Sequence, residues 1–439
     1  YNEVNKMLAV YKNNKNLAKK DISGELKPFF WLGDTAWLLA QKLTADEANV
    51  YFADRAEKNF NVIQTVLVHN MNVEEPDEKI TAVLDNDFSK ICSYSGYWEK
   101  IDTLVEMAAG YGLYMGLLPV WGAMVKKGYL NADNAESYGK YLADRYGQHE
   151  NVIWILGGDI RGETGFDVWN ILGNTIKKYA PEQLVTFHPF GRTSSAMWFN
   201  DCGWLDFNMF QSGHRRYDQS SLGFWDDNNV SEDFYGEDNW RYVRRELART
   251  PLKPVLDGEP SYENIPQGLH DFSQPLWKAK DVRRYAYWSV FEGACGHTYG
   301  DNAIMQFYRE NDKDAGYNVK TCWREALNDP GSAQMGYLYN LMTSVNFQDG
   351  KHNDNLINNG GFTKYDRITA FSGKDFALIY NYSGRSFELN LEALEFKPVS
   401  ARWYDPASGV FLDKETAFSD VIDVPKNSSG ESDMILVLK

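Results

Sequence analysis

No apolar stretch in the 439 residues approaches the ~20 needed to cross a bilayer. No basic stripe offsets the formal charge of −16, so a phosphate backbone would be repelled and nucleic acid is not an expected partner. Cysteine is scarce. The four residues, Cys92, Cys202, Cys295 and Cys322, form no CxxC pair, and buried free thiols are the expected state. No GxGxxG or Walker loop follows the first strand candidate, which weakens a doubly wound nucleotide-binding sheet. No HExxH or other metal-ligand spacing occurs, and no Ser or Cys stands where a nucleophile would be expected. The chemistry must come from elsewhere, with no metal or cofactor called for.

What is abundant is aromatic: 15% of the chain, with 14 Trp and 27 Tyr. Such residues fill large cores, and they also stack against flat amphipathic ligands such as sugar rings. Along the first three quarters, apolar runs alternate with amphipathic ones. "PFFWLG" (28–33) precedes 44–60, where Thr44 and Glu47 have capping-box spacing. The alternation continues through "NVIQTVLVH" (61–69), "LYMGLLPVW" (113–121), "NVIWILGG" (151–158), "LVTFHPF" (184–190), "LDFNMFQ" (205–211), "KPVLDGE" (253–259) and "GHTYG" (296–300). The last is followed by a closing helix at 331–345. Eight β-then-α units predict an α/β fold, a (β/α)8 TIM barrel over 1–350. From 351 to 439 the texture changes to short alternating strands, with a hairpin turn at "DPASG" (405–409). This predicts a small antiparallel β-sandwich domain.

A barrel of this kind does chemistry at the carboxyl ends of its strands. The polar residues there include Asp34, His69, Trp121, Asp159, His188, Gln211, His214, Asp257, Glu259, His297 and Tyr299. Four imidazoles could converge, but sugar hydroxyls need histidine partners as much as metals do. The sharper signal is a pair of acids, Asp159 closing the fourth strand in "WILGGD" and Glu259 closing the seventh in "PVLDGE". Acetal hydrolysis requires a proton donor for the leaving oxygen and an anion beside the oxocarbenium centre. Rim residues of strands four and seven face each other across the mouth. Gly157 and Gly158 would keep that mouth open, or form a plain strand-ending turn. Asp257, two residues before Glu259, shares its strand face and is either a deeper acid or the functional one. The bland alternative is a pair of rim carboxylates in ion pairs with Arg161 and Arg192.

The stretches "PFFWLGDTAW", "VIWILGGD", "TFHPFGRTSS", "KPVLDGEPSYE" and "GHTYGDNAIMQF" resemble the apiosidase-like glycoside hydrolases of Bacteroidetes, glycoside hydrolase family 140. In those enzymes a barrel is followed by a β-domain labelled collagen-binding. The resemblance covers nearly the whole chain. It implies a retaining hydrolase that cleaves the apiose–galacturonate bond in side chains of the pectin rhamnogalacturonan II, a plant cell-wall oligosaccharide substrate. It places the acid/base on Asp159 and the nucleophile on Glu259. The wider pattern of barrel glycosidases has a Glu preceded by Asn where this chain has Asp159 after two glycines.

Asp34, His69, His188, Gln211, His214, His297 and Tyr299 are expected to hold sugar hydroxyls, Trp121 or Trp288 to stack, and Arg192 and Arg215 either to meet the galacturonate carboxylate or to form surface ion pairs. A periplasmic or cell-surface location follows from the resemblance alone. The rival readings are an endo-glucanase or mannanase on the same barrel, and a non-catalytic carbohydrate- or matrix-binding protein that uses the C-terminal domain.

Overall fold

A computed structural model describes residues 6–21, 23–75, 78–219, 237–358, 363–418 and 421–439. Eight parallel strands form its ring: β1 (Trp31–Thr35), β2 (Val62–Val66), β3 (Tyr114–Leu118), β4 (Val152–Ile160), β5 (Val185–Pro189), β6 (Asn208–Phe210), β7 (Val255–Asp257) and β8 (Gly296–Tyr299). The ladder runs β5-β4-β3-β2-β1-β8-β7-β6. The ring closes between β5 and β6, where Asp206 N donates to Val185 O (2.8 Å) and Thr186 Oγ1 donates to Phe207 O (2.6 Å). One helix per strand follows: α1 (Ala45–Glu57), α2 (Tyr97–Gly110), α3 (Ala135–Tyr146), α4 (Phe166–Tyr179), α5 (Ala196–Phe199), α6 (Asn239–Leu247), α7 (Ala279–Glu292) and α8 (Pro330–Thr343). The capping box on α1 is formed, with Glu47 N donating to Thr44 Oγ1 at 3.3 Å and Thr44 N to Glu47 at 3.1 Å.

Strand alternation sorts the side chains. Trp31, Val62, Tyr114, Ile153, Ile155, Met209 and Leu256 point inward and pack as one cluster. Their neighbours point outward, onto the helices. A three-stranded antiparallel sheet (Leu8–Val10, Leu17–Lys20, Leu26–Phe29) adds Leu8, Leu17 and Phe29 to the inner cluster. The ring of Phe29 meets that of Tyr114 edge-on at 5.4 Å. The apolar run 28–33 is therefore shared between that sheet and β1. Most of the tryptophan excess goes into the core, since Trp31, Trp98, Trp154, Trp169, Trp204, Trp277, Trp288 and Trp323 are all fully buried.

The C-terminal domain is a six-stranded antiparallel sheet. Its strands are β9 (Lys351–His352), β10 (Ile368–Ser372), β11 (Ala377–Asn381), β12 (Ala401–Asp405), β13 (Val410–Glu415) and β14 (Met434–Leu438), in the order β9-β10-β11-β14-β12-β13. The turn at 405–409 joins β12 to β13, with Gly409 N donating to Asp405 O at 2.8 Å. One face, through Phe371, Leu378, Tyr380, Ile435 and Val437, shares a core with α7 and α8. The other face is covered by Leu356, Ile357, Phe387 and Ile422, the last two from a two-stranded sheet (Phe387–Glu388 with Val421–Ile422). Polar contacts seal the join: Arg283 of α7 donates to Asp433 (2.7 and 2.9 Å), and Tyr287 stacks on Tyr380 at 4.8 Å.

All four cysteines are free thiols; Cys92 and Cys295 are buried, whereas Cys202 and Cys322 are only half-buried. Among the described residues no helix is long and apolar enough to cross a membrane.

Behind the ends of β7 and β8 lies a knot of acids. Glu263 accepts from Tyr299 Oη (2.6 Å) and Gly331 N (2.9 Å), and Asp329 accepts from Asn264 (3.0 Å). Burial pushes Glu263 up to about 7 against the Tyr299 hydrogen bond, with Asp329 adding repulsion; burial also pushes Asp301 up, with Asp329 and Glu263 adding to it. A carboxyl whose folded value is raised retains a proton that the unfolded chain has released. Its penalty therefore grows as pH rises from about 4.3, the unfolded value, towards the folded one. Glu263→Gln keeps both acceptor contacts without the charge. Its melting midpoint is expected to exceed that of the unmodified protein by a few degrees at pH 8 and to match it near pH 4. A lower midpoint at pH 8 would refute this account.

Candidate active site

The centre of the site is built by a fault in β4. His188 of β5 is in register with Gly157, and the next residue, Pro189, with Ile160, so Gly158 and Asp159 bulge out of the ladder. Gly157 (φ +91°), Gly158 (φ +95°) and Asp159 (φ 54°) are all left-handed. A Cβ on Gly157 would lie 2.3 Å from the His188 carbonyl, and one on Gly158 2.8 Å from the Trp121 ring. The two glycines are neither a strand-ending turn nor empty space. They let backbone, ring and strand close up, and the bulge re-aims Asp159 into the mouth.

Glu259 arrives from the other side. β7 ends at Asp257, and the chain turns at Gly258, whose Cβ position is taken by the Met209 sulfur at 2.4 Å. Asp257 and Glu259 therefore part company. Asp257 points outward to Ser212 (2.6 Å) and Asn239 (3.0 Å), and burial pushes it up to about 7. It does not line the cavity that Asp159 and Glu259 share.

That cavity is about 310 Å³, at the small end for ligand sites. Every strand end or the loop after it contributes: Trp37, His69, Trp121, Asp159, Arg192, Gln211 with His214 and Arg215, Glu259 with Tyr262, and Tyr317, from β1 to β8 in turn. Glu259 is 7% exposed. His214 Nε2 lies 2.9 Å from its Oε1, and His188 Nε2 lies 3.0 Å from Oε2, the latter poorly aligned as a hydrogen bond. His188 Nδ1 accepts from Asp159 N at 3.4 Å. Tyr262 Oη accepts from Trp37 Nε1 (3.2 Å), and its ring meets that of His214 edge-on at 4.8 Å.

Burial alone would raise the Glu259 carboxyl, but His188 and His214 outweigh it and hold it at about 2. Asp159 is open to the cavity and enclosed by protein elsewhere. Enclosure first, then the charge of Glu259, push it up to about 6 against His188, His214 and a hydrogen bond from Gln211.

Of the residues expected to hold a sugar, His69, Trp121, Gln211 and His214 line the cavity, and His188 buttresses it from below. Burial pushes the half-buried His69 down, and its ring lies 5.5 Å from that of Trp121. Four expectations need correction. Asp34 and Tyr299 are in register on adjacent strands and share the outer face. There Asp34 binds Arg55 and Tyr51 of α1 (2.6 Å each), and Tyr299 binds Glu263. His297, two residues before Tyr299, faces outward as well. It meets Ser289 of α7 at 3.3 Å, and burial pushes it down to about 3. Trp288 stands on α7 in the join between domains, 4.9 Å from the Arg284 guanidinium. Arg161 pairs with Glu163 at 2.7 Å.

Trp37, Tyr262 and Tyr317 line the cavity without having been singled out from sequence. The first two lie within a few residues of strand-end motifs, "GDTAW" and "GEPSY", a proximity that could have revealed them. Tyr317 carries no such signal. Among the described residues no group of three or more His, Cys, Asp or Glu is placed to hold a metal ion.

Against known proteins, residues 12–349 match the family model described as "Apiosidase-like, catalytic domain". Residues 353–439 match "Putative collagen-binding domain of a collagenase". No curated protein matches. Among solved structures, one named only as a glycoside hydrolase is 41% identical with a TM-score of 0.90, covering 99% of this chain and 96% of its own. A glycoside hydrolase family 5 protein from Bacteroides vulgatus is 40% identical with a TM-score of 0.90, covering 98% and 93%. With a catalytic-domain match over most of its length and two such structural relatives, the chain belongs to the apiosidase-like family and is a TIM-barrel glycoside hydrolase.

Proposed function

We propose that the enzyme cleaves an acetal by retaining double displacement, with Glu259 as nucleophile and Asp159 as acid/base. The observation that carries this reading is that two carboxyls, from the bulge in β4 and from just beyond β7, line one cavity, where their surroundings push Glu259 down to about 2 and Asp159 up to about 6. Two acids pushed apart by their surroundings divide into a standing anion and a proton carrier. Glu259 attacks the anomeric carbon while Asp159 gives its proton to the leaving oxygen. Asp159 then takes a proton from water, which attacks the glycosyl–enzyme bond and frees Glu259.

The substrate reading is narrower: the apiose–galacturonate bond of rhamnogalacturonan II side chains, met at the periplasm or cell surface. Its support is a small cavity with cationic lining. Arg192 and Arg215 are 3% and 4% exposed and both line it. Burial pushes Arg192 down to about 10 and Arg215, with repulsion from Arg192 added, down to about 9. Both remain charged at neutral pH and suit an acidic sugar.

Incubation with rhamnogalacturonan II side-chain oligosaccharides should release apiose-terminated fragments, with the anomeric configuration kept at the first-formed product. An inverted product or no release would refute the assignment. Replacing Glu259 or Asp159 by Ala should lower kcat about a thousandfold or more with the melting midpoint held; near-normal turnover in either variant ends the role assignment.

Activity needs Glu259 ionised and Asp159 protonated. A profile of kcat/KM should therefore be high between about 2 and about 6 and fall as pH rises through about 6. A profile still rising at pH 8 contradicts this. Arg192→Ala and Arg215→Ala should raise KM about tenfold or more for uronate-bearing substrates, and leave it unchanged for substrates with a neutral leaving sugar. Equal effects on both would assign the arginines to structure.

A further inference from the structure

The loop after β8 holds two consecutive non-glycine residues in the left-handed region, Tyr317 at φ 54° and Asn318 at φ 52°. Side chains bearing a Cβ rarely adopt that conformation, and where it persists the surroundings over-determine it. Two buried amides do so here. Gln306 accepts from Gly316 N (2.7 Å) and donates to Gly316 O (3.3 Å), while Asn302 Nδ2 donates to Tyr317 O (3.1 Å). Gln306 is itself tied to Asn302 O at 2.8 Å, and the two residues are 5% and 1% exposed.

The strained backbone aims one side chain. The Tyr317 ring leans on His270 at 5.5 Å and lines the cavity. Burial, with the charges of Asp159 and Glu259 adding to it, pushes the phenol up, so it offers a hydrogen-bond donor at every working pH.

We propose that Tyr317 is a substrate-contacting, specificity-determining residue whose hydroxyl donates a hydrogen bond to an oxygen of the sugar held between Asp159 and Glu259. The inference rests on the glycosidase reading of that cavity. A site built around a donor discriminates against sugars lacking the matching oxygen, because the buried partner is then left unpaired.

The test is steady-state hydrolysis of rhamnogalacturonan II side-chain oligosaccharides by the unmodified enzyme, Glu259→Ala and Tyr317→Phe, with melting midpoints for each. Phe keeps the ring on His270 and removes only the hydroxyl. Tyr317→Phe is expected to lose roughly 10- to 100-fold in kcat/KM, part of it in kcat, with an unchanged midpoint. Activity within twofold of the unmodified enzyme would overturn the inference and leave the glycosidase reading standing. A fall in activity matched by a lowered midpoint, with kcat preserved in the folded fraction, would also overturn it by assigning Tyr317 to structure. Hydrolysis no faster in the unmodified enzyme than in Glu259→Ala would remove both readings together.

Discussion

The site is organised around one buried anion. Glu259 stays charged in a nearly closed environment because His214 and His188 hold ring nitrogens 2.9 and 3.0 Å from its oxygens, with Tyr262 edge-on to His214. A carboxylate without them would take up a proton instead. That charge has two consequences. It helps raise Asp159 across the cavity, and it helps keep Tyr317 protonated. Trp37 completes the arrangement by donating to Tyr262, and it meets His188 edge-on at 5.2 Å. Four strand ends therefore have to be correctly placed for one carboxylate to remain ionised.

The C-terminal domain belongs to the same mechanical unit. Its sheet shares a core with α7 and α8, the helices that follow β7 and β8. A buried arginine, Arg283, bridges α7 to Asp433, and removing one partner of such a pair leaves an uncompensated charge. The acid knot of Glu263, Asp301 and Asp329 lies where the loop carrying Glu259 meets the start of α8. Both sheet faces are occupied, one by the barrel and one by the domain's own chain. The contacts describe a domain that braces the catalytic barrel.

Strand ends were legible because a buried run that stops abruptly at Gly and Asp has few meanings. "WILGGD" and "PVLDGE" could be placed on opposing strands by counting β–α units alone. Which way a rim side chain turns was not legible. Asp34, His297 and Tyr299 stand on or beside strand ends just as His188 does, yet alternation turns them outward, and one residue of register decides between the two faces. Asp257 and Glu259 were expected on one face by their spacing, but β7 ends between them.

The sequence by itself determined the eight-unit barrel, the second β-domain and the two acids, because hydrophobic period and abrupt polar stops are local properties. Tertiary structure decided the charge states of those acids, since they depend on histidines from β5 and the loop after β6 and on enclosure by eight strand ends and the loops after them. It also decided the role of the double glycine. What requires Gly157 and Gly158 is a carbonyl on β5 and a ring after β3, neighbours remote from them along the chain.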